Sequence, residues 1–417
     1  MARGKKKEKA LSPEEKLAQA LVVESEQPYQ VPENWCWTSF ASISLIRTGK
    51  KDANYGSKDG QYPFFTCAAD PIRCDGYSFD CNAILLAGNG DINNISRYEG
   101  KFEAYQRTYV VEVSQPINTD LMYHYFKYRW FDYNKDKMFG TAIPYIRLGN
   151  LQTFPIPLAP LSEQQRIVDR IEGLFSKLDE AKEKAQAVLD SFETRKAAIL
   201  HKAFTGELTA KWRAERSVGM DGWKECLLGD IFDMKAGKNI SASKINSVKT
   251  EEMQYPCFGG NGVRGFVEAY NCEGEHPIIG RQGALCGNVN LAAGMFYATE
   301  HAVVVSYKLD VATTWAVHYL RFLNLNQYAT ATAQPGLAVS NILKLPATYI
   351  PYEEQQELSK IIDSIFTKEQ RVKEAAEAAL EQIDLLKKSI LARAFRGELG
   401  TNDPTDEPAI ELLKRIL

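Results

Sequence analysis

Apolar residues step by four and three along two stretches of the chain. The first carries Ile167, Ile171, Leu174, Leu178, Ala181, Ala185, Val188, Phe192 and Ile199; the second carries Leu358, Ile362, Ile365, Val372, Ala376, Ala379, Ile383, Leu386 and Ile390. That spacing is a heptad seam along one face of a helix. The stretches are copies of one another: residues 163–208 align without a gap on residues 354–399 at a constant offset of 191, opening on Glu-Gln-Gln and closing on Ala-Phe-x-Gly-Glu-Leu. Each copy has 46 residues and predicts one helix, roughly 70 Å long at about 1.5 Å per residue. An amphipathic rod of that length needs a partner helix to cover its apolar face.

Two charges interrupt the seams, Arg195 and Glu369. A parallel pair would set Arg195 against Leu386 and Glu369 against Leu178, burying charge against apolar carbon. An antiparallel pair whose partner numbers sum to 564 instead sets Arg195 against Glu369. The same register sets Leu178 against Leu386, Ala181 against Ile383, Ala185 against Ala379, Phe192 against Val372 and Ile199 against Ile365. The expected seam thus runs through Ile171, Leu178, Ala185, Phe192 and Arg195 on one helix and Glu369, Val372, Ala379 and Leu386 on the other.

Around these helices the apolar runs shorten and are punctuated by Gly, Pro, Asn and Asp. Residues 42–46, 83–87, 109–113, 277–280 and 302–306 predict strands. The aromatic-rich stretch 120–131 and residues 314–323 predict helices. Trp35 and Trp223, Gly49-Lys50 and Gly237-Lys238, and Tyr62-Pro63 and Tyr255-Pro256 fall at comparable places in two stretches of equal size, 30–158 and 222–350. The expected organisation is an N-terminal arm with a short helix started by Ser12-Pro13 (1–29), a first globular block (30–158), a long helix (159–215), a second block (216–350), a second long helix (351–400) and a tail with a short amphipathic helix (401–417). The fold class is α+β: two similar globular α/β domains separated by two long helices that form an antiparallel coiled coil with pseudo-two-fold symmetry.

Composition alters this picture little. The chain is 45% hydrophobic and 25% charged with a net charge of −3, the profile of a globular protein. No apolar run is long enough to span a bilayer or act as a secretory signal, which predicts a cytoplasmic chain. The arm with Arg3, Lys5, Lys6, Lys7 and Lys9 reads as a solvated start. Eight cysteines without paired Cys-x-x-Cys spacing read as reduced core residues. Cys67, Cys74 and Cys81 recur every seven, but in a non-helical stretch with no histidine near, so a zinc site is not expected.

No motif supplies catalysis. Residues 260–265 satisfy Gly-x-Gly-x-x-Gly, yet no crossover helix follows and no acidic residue stands about 20 positions on, so a glycine turn is expected. There is no phosphate-binding Gly-x4-Gly-Lys-Ser/Thr loop and no Asn/Asp-Pro-Pro-Tyr/Phe tetrapeptide of an amino-methyltransferase. The five histidines show no metal spacing; His301, after a Gly-rich loop, is a candidate base reader. What the blocks do offer is loops that mix Arg, Lys, Asn and Gln. The first has Lys50, Lys51, Lys58, Arg73, Asn89, Asn93, Asn94 and Arg97; the second has Lys238, Asn239, Lys244, Asn261, Arg264, Arg281, Gln282, Asn288 and Asn290. Arg and Lys suit guanine edges and phosphate, Asn and Gln suit adenine edges. Residues 30–158 hold 13 acidic and 13 basic residues and residues 222–350 hold 10 of each. Any DNA-binding face must therefore arise by clustering, or with partners sharing the phosphate contacts. The competing interpretation is a coiled-coil scaffold whose two domains bind protein ligands.

Taken together, the chain resembles the specificity subunit of a type I restriction-modification enzyme over nearly its whole length. The resemblance rests on the order of two blocks and two helical repeats and on Pro-Leu-Ala-Pro-Leu-Ser-Glu-Gln-Gln at 157–165. It rests also on Ala-Phe-x-Gly-Glu-Leu at both helix ends, Tyr-Pro-x-Phe-Gly-Gly-Asn-Gly at 255–262 and Gly-Arg-Gln-Gly-Ala at 280–284. It implies a non-catalytic chain whose target-recognition domains each read one half of a bipartite site in double-stranded DNA. The helices would set the gap between halves and dock two modification subunits, with restriction subunits joining the full complex. S-adenosylmethionine, ATP and magnesium would belong to those partners and no cofactor to this chain. The two blocks differ in their loops, so the site would be asymmetric.

Overall fold

The computed structural model describes residues 11–283, 285–330 and 335–417. The basic residues of the N-terminal arm and Ala284 lie outside the described residues. The chain forms two compact units, residues 1–185 with 378–417 and residues 186–377.

In the first unit a mixed six-stranded sheet has the order Ser44–Thr48, Thr108–Val113, Phe79–Ala87, Ile95–Ala104, Tyr62–Phe65, Ile72–Cys74. The central strand Phe79–Ala87 is apolar and buried on both faces from Ala83 to Ala87, because both are covered there. Ile84 and Leu86 pack with Tyr125, Phe126 and Trp130 of the helix Thr119–Asn134, while Ala83 and Leu85 join Phe65, Phe79 and Phe102 on the other side. That alternation is the period-two geometry of a strand. The second unit repeats the plan with two paired strands broken. The strand equivalent to Ile95–Ala104 is broken at Gly294, φ +76°, into Val289–Ala292 and Met295–Ala298, and its neighbour at Gly274, φ +109°, into Cys272–Glu273 and His276–Gly280, so one sheet becomes two four-stranded sheets. In both units the strand that carries Tyr-Pro runs parallel to the end of this element, Phe64 beside Glu103 and Cys257 beside Tyr297.

The glycine run at 260–265 is the turn of a hairpin between Tyr255–Gly259 and Gly262–Val267, with Gly262 and Gly265 at positive φ. The helix Pro13–Ala20 carries a capping box between Ser12 and Glu15, and the tail helix Ala409–Ile416 packs beside it in the same core, with Lys16 Nζ 2.6 Å from the Leu417 carbonyl oxygen.

The second long helix runs unbroken over Tyr352–Ala394. The first does not match the expectation of one rod: Leu161–Asp190 and Phe192–Phe204 meet at Ser191. The cause is local. Ser191 Oγ bonds back to the carbonyls of Ala187 and Val188, and Arg195 Nη1 also donates to Val188 O, so side chains intrude on the helical ladder. At the equivalent places the second copy has Gln382 and Leu386, and its helix continues.

Within each unit the helices run antiparallel. Asp179 pairs with Lys387 and Lys182 with Asp384 in the first; Arg195 Nε meets Glu369 Oε2 at 2.8 Å in the second, as the sequence predicts. The expected seam needs correction on the second helix. Val372 and Leu386 are 47% and 48% exposed and Ala379 is exposed too. The inward positions are Glu369, Lys373, Ala376, Leu380, Ile383 and Lys387, a strict four-three alternation. Lysines take the places assigned to their apolar neighbours, because each ammonium finds a ring face and a carboxylate there, Glu377 for Lys373 and Asp179 for Lys387. Lys373 Nζ lies 5.1 Å from the Phe192 ring and Lys387 Nζ 5.0 Å from Phe175. On the first helix Ile171, Ala185 and Phe192 are buried and Leu178 is half-buried.

Candidate nucleic-acid interface

The repeated Glu-Gln-Gln explains how each domain is fixed to helix. Trp35 Nε1 donates to Glu163 Oε2 at 2.7 Å, and Trp223 Nε1 to Glu354 Oε2 at 2.9 Å. The next residue bridges two elements. Gln164 Oε1 accepts from the backbone of Asn118 and Gln355 Oε1 from that of Ala312, the N-caps of the domain helices, while their amides donate to Ala159 and Ile350 carbonyls. Residues following the Gly-Glu-Leu of one repeat close on the glutamate of the other. Thr401 and Asn402 donate to Glu163; Thr209 and Arg213 donate to Glu354. His124 and His318 occupy one place in the two domain helices, edge-on to Phe175 and Phe366 of the long helices. Burial holds both imidazoles below their ordinary pKa, against the nearby Asp120 and Asp363.

On this frame the loop residues separate into those free to meet a ligand and those already engaged. In the first domain Lys58 and Arg73 line one hollow of about 470 Å³, but the Arg73 guanidinium donates to the carbonyls of Gly60 and Gln61 and so clasps its own loop. Lys50 is exposed beside a hollow with Arg47, Ser78 and Leu148. The ammonium of Lys51 sits 4.2 Å from the Tyr55 ring. Asn89 is half-buried in a bridge to Tyr145, Asn93 is exposed, and Asn94 donates to the carbonyls of Cys67 and Ala68. Arg97 is held by Asp120 at 3.0 Å and Glu99 at 3.6 Å. Arg73, Asn94 and Arg97 thus already have partners within their own domain, which only the tertiary structure reveals.

The second domain gathers more of its candidates. The hairpin tip with Asn261, residues 281–283 and 285–290, and the turn 299–301 lie against one another. Asn288 Nδ2 donates to Asn261 Oδ1 at 3.0 Å, a side chain at Gly262 would meet Asn290, and the Arg281 backbone N–H donates to the His301 carbonyl. Gln282 bridges to Gly336 and Arg264 is exposed along the hairpin. Lys238, Asn239 and Lys244 are exposed on the loop after the strand Phe232–Ala236. Among the described residues no three of His, Cys, Asp and Glu gather as a metal site. Desolvation pushes the Cys36 thiol up to about 12 and that of Cys81 up to about 11, so both stay protonated.

A family model of the type I restriction modification DNA specificity domain matches this chain twice, over residues 32–189 and 220–382. The chain belongs to this family. As a type I specificity subunit it is the non-catalytic component, and catalysis lies on other subunits. The EcoprrI specificity subunit of Escherichia coli is 51% identical over 144 residues, 34% of this chain and 36% of that relative. The EcoDI specificity subunit of Escherichia coli is 25% identical over 417 residues, 91% of this chain and 92% of that relative. Two solved chains share the fold. A chain from a study of complex assembly and conformational transition of the type I system has a TM-score of 0.67 at 18% identity, covering 89% of this chain and 100% of that chain. The HsdS subunit from Thermoanaerobacter tengcongensis has a TM-score of 0.62 at 18% identity, covering 90% and 100%.

Placed on the specificity-subunit frame, one pair of turns stands out, of which sequence analysis singled out His301 alone. Gly49 and Gly237 each lie so close to a neighbouring strand end that an added Cβ would meet the carbonyl oxygen of Ala104 or Ala298 at 1.9 or 2.1 Å. Those contacts equate the turn Tyr105-Gln106-Arg107 with Thr299-Glu300-His301. Tyr105 N–H donates to Phe65 O and Thr299 N–H to Phe258 O, both at 2.9 Å. The signal was present in the matched Gly-Lys pairs, but their contact partners are more than 50 residues away in sequence. No helix is long and apolar enough to cross a membrane among the described residues.

Proposed function

We propose that this specificity subunit reads an asymmetric bipartite site in double-stranded DNA, one half per target-recognition domain, and docks two modification subunits on its long helices. The observation that carries the asymmetry is the pair of equivalent turns. One backbone arrangement presents Gln106 and Arg107 in the first domain and Glu300 and His301 in the second, side chains that prefer different base edges. Neither domain has a net charge, so phosphate contacts come from local clusters of basic residues or are shared with partner subunits. The helices supply surface for them: Val372, Leu385 and Leu386 are exposed apolar residues among charged neighbours. Restriction subunits would join the assembled complex in the cytoplasm, and S-adenosylmethionine, ATP and magnesium would bind to the partners.

The test is to co-express the chain with a type I modification subunit that assembles with it and to map adenine methylation genome-wide by single-molecule sequencing. A two-part motif of unlike halves with a fixed gap is expected, and exchanging residues 30–158 for another domain should change one half alone. An active assembled complex that methylates without any motif would overturn the proposal in favour of a scaffold.

A further inference from the structure

The second domain shows polar groups whose hydrogen-bonding capacity is unused. The Asn261–Asn288 pair spends one N–H and one carbonyl oxygen on itself. Asn288 keeps its carbonyl oxygen and one N–H, and Asn261 keeps both N–H groups, on exposed turns. A donor and an acceptor side by side complement the N6 amino group and N7 of adenine in the major groove. Across the hairpin, Glu300 Oε1 lies 3.3 Å from His301 Nε2 while Glu300 Oε2 and His301 Nδ1 are buried with no partner. Buried polar atoms are rarely left so. Rotation of the half-exposed Glu300 side chain toward an amino group would relieve that position.

The turns are also braced. Gly260 packs close to the carbonyls of Gln282 and His301, and Gly280 lies so near the Gly260 carbonyl oxygen that an added Cβ would meet it at 1.9 Å. Backbone bonds from Gly283 to Pro335 and from Leu337 to Arg281 tie a further segment behind them. Reading groups held on rigid turns keep their geometry when they meet a base.

We propose that Asn261, Asn288 and Glu300 are the base-reading residues of the second domain, the amide pair for adenine and the carboxylate for the amino group of cytosine. This rests on the bipartite DNA recognition proposed above. Arg281 and Gln282 enter the bracing through their backbones, which leaves their side chains outside this assignment.

The test uses the full chain assembled with its modification subunit and compares methylation maps of the wild type, Asn288→Ala, Asn288→Gln and Glu300→Gln, with thermal melting as a control for folding. Asn288→Ala should lower discrimination about 10- to 100-fold at one adenine position of the second half-site, and Asn288→Gln should retain part of it. Glu300→Gln should relax one cytosine position, and the first half-site should be unchanged in every variant. An unaltered second half in both Asn288→Ala and Glu300→Gln would overturn the assignment, and so would equal weakening of both halves, which marks a structural role. A wild type without any motif would instead defeat the DNA-recognition proposal itself, and this inference with it.

Discussion

Reversing the Arg195–Glu369 pair tests the antiparallel register where the two helices meet charge to charge. Arg195 Nε and Glu369 Oε2 are 2.8 Å apart, with side chains 32% and 22% exposed. A charge-assisted hydrogen bond contributes about 1.5–3 kcal/mol. Two unit charges at 4 Å interact by about 4 kcal/mol at an effective dielectric near 20, less where solvent reaches them. Arg195→Glu replaces attraction with repulsion and removes the guanidinium bonds to Val188 O and Ser191, so a cost of about 3 kcal/mol is expected. Glu369→Arg alone should cost about 2 kcal/mol, since it leaves the Val188 bonds in place. The double reversal restores the ion pair but not those carbonyl contacts and should also cost about 2 kcal/mol, a coupling of about 3 kcal/mol. Two units need not melt in one transition, so the assay is amide hydrogen exchange of residues 186–200 and 364–375, which reports local opening. If the double variant loses the full sum of the singles, about 5 kcal/mol, the two charges are not coupled and the register argument fails.

Glu354→Gln should cost about 3 kcal/mol and Glu163→Gln about 1–2 kcal/mol in thermal unfolding, because Glu354 faces the buried Arg213 cation whereas the donors to Glu163 are the neutral Trp35, Thr401 and Asn402. Gly49→Ala and Gly237→Ala should each destabilise by about 2–3 kcal/mol, read as a lowered Tm, since the new methyl must push a strand carbonyl aside. Stability should fall on acidification. His124 and His318 have folded pKa values below the ordinary 6.5, so below that pH the unfolded chain takes up protons the folded one refuses. Their contribution is complete above pH 6.5 and is lost as pH drops toward the folded values. Tm measured from pH 7.5 to 5.5 should decline less steeply in His318→Asn than in the parent; an unchanged slope would refute the assignment.

Sequence alone determined the repeat, the antiparallel choice, the domain helices near 120–131 and 314–323 and the strands near 83–87, 109–113, 277–280 and 302–306. Periodicity and duplication are local or self-referential, and an ion pair between two seams needs only their spacing. The Gly-Lys and Trp pairs even marked equivalent places in the two domains. Tertiary structure decided the rest, because it depends on groups brought together from afar. Whether Val372 or Lys373 faces inward depends on the ring of Phe192 across the seam, and whether the first long helix breaks depends on a serine and an arginine competing for one carbonyl. Arg73, Asn94 and Arg97 looked as available as Asn261 and Asn288 in the sequence. The first three are consumed by carbonyls and carboxylates of their own domain, while the last two meet each other on exposed turns and keep donors to spare. A polar side chain's type fixes what it can bind, and only its neighbours in space fix what is left over for a ligand.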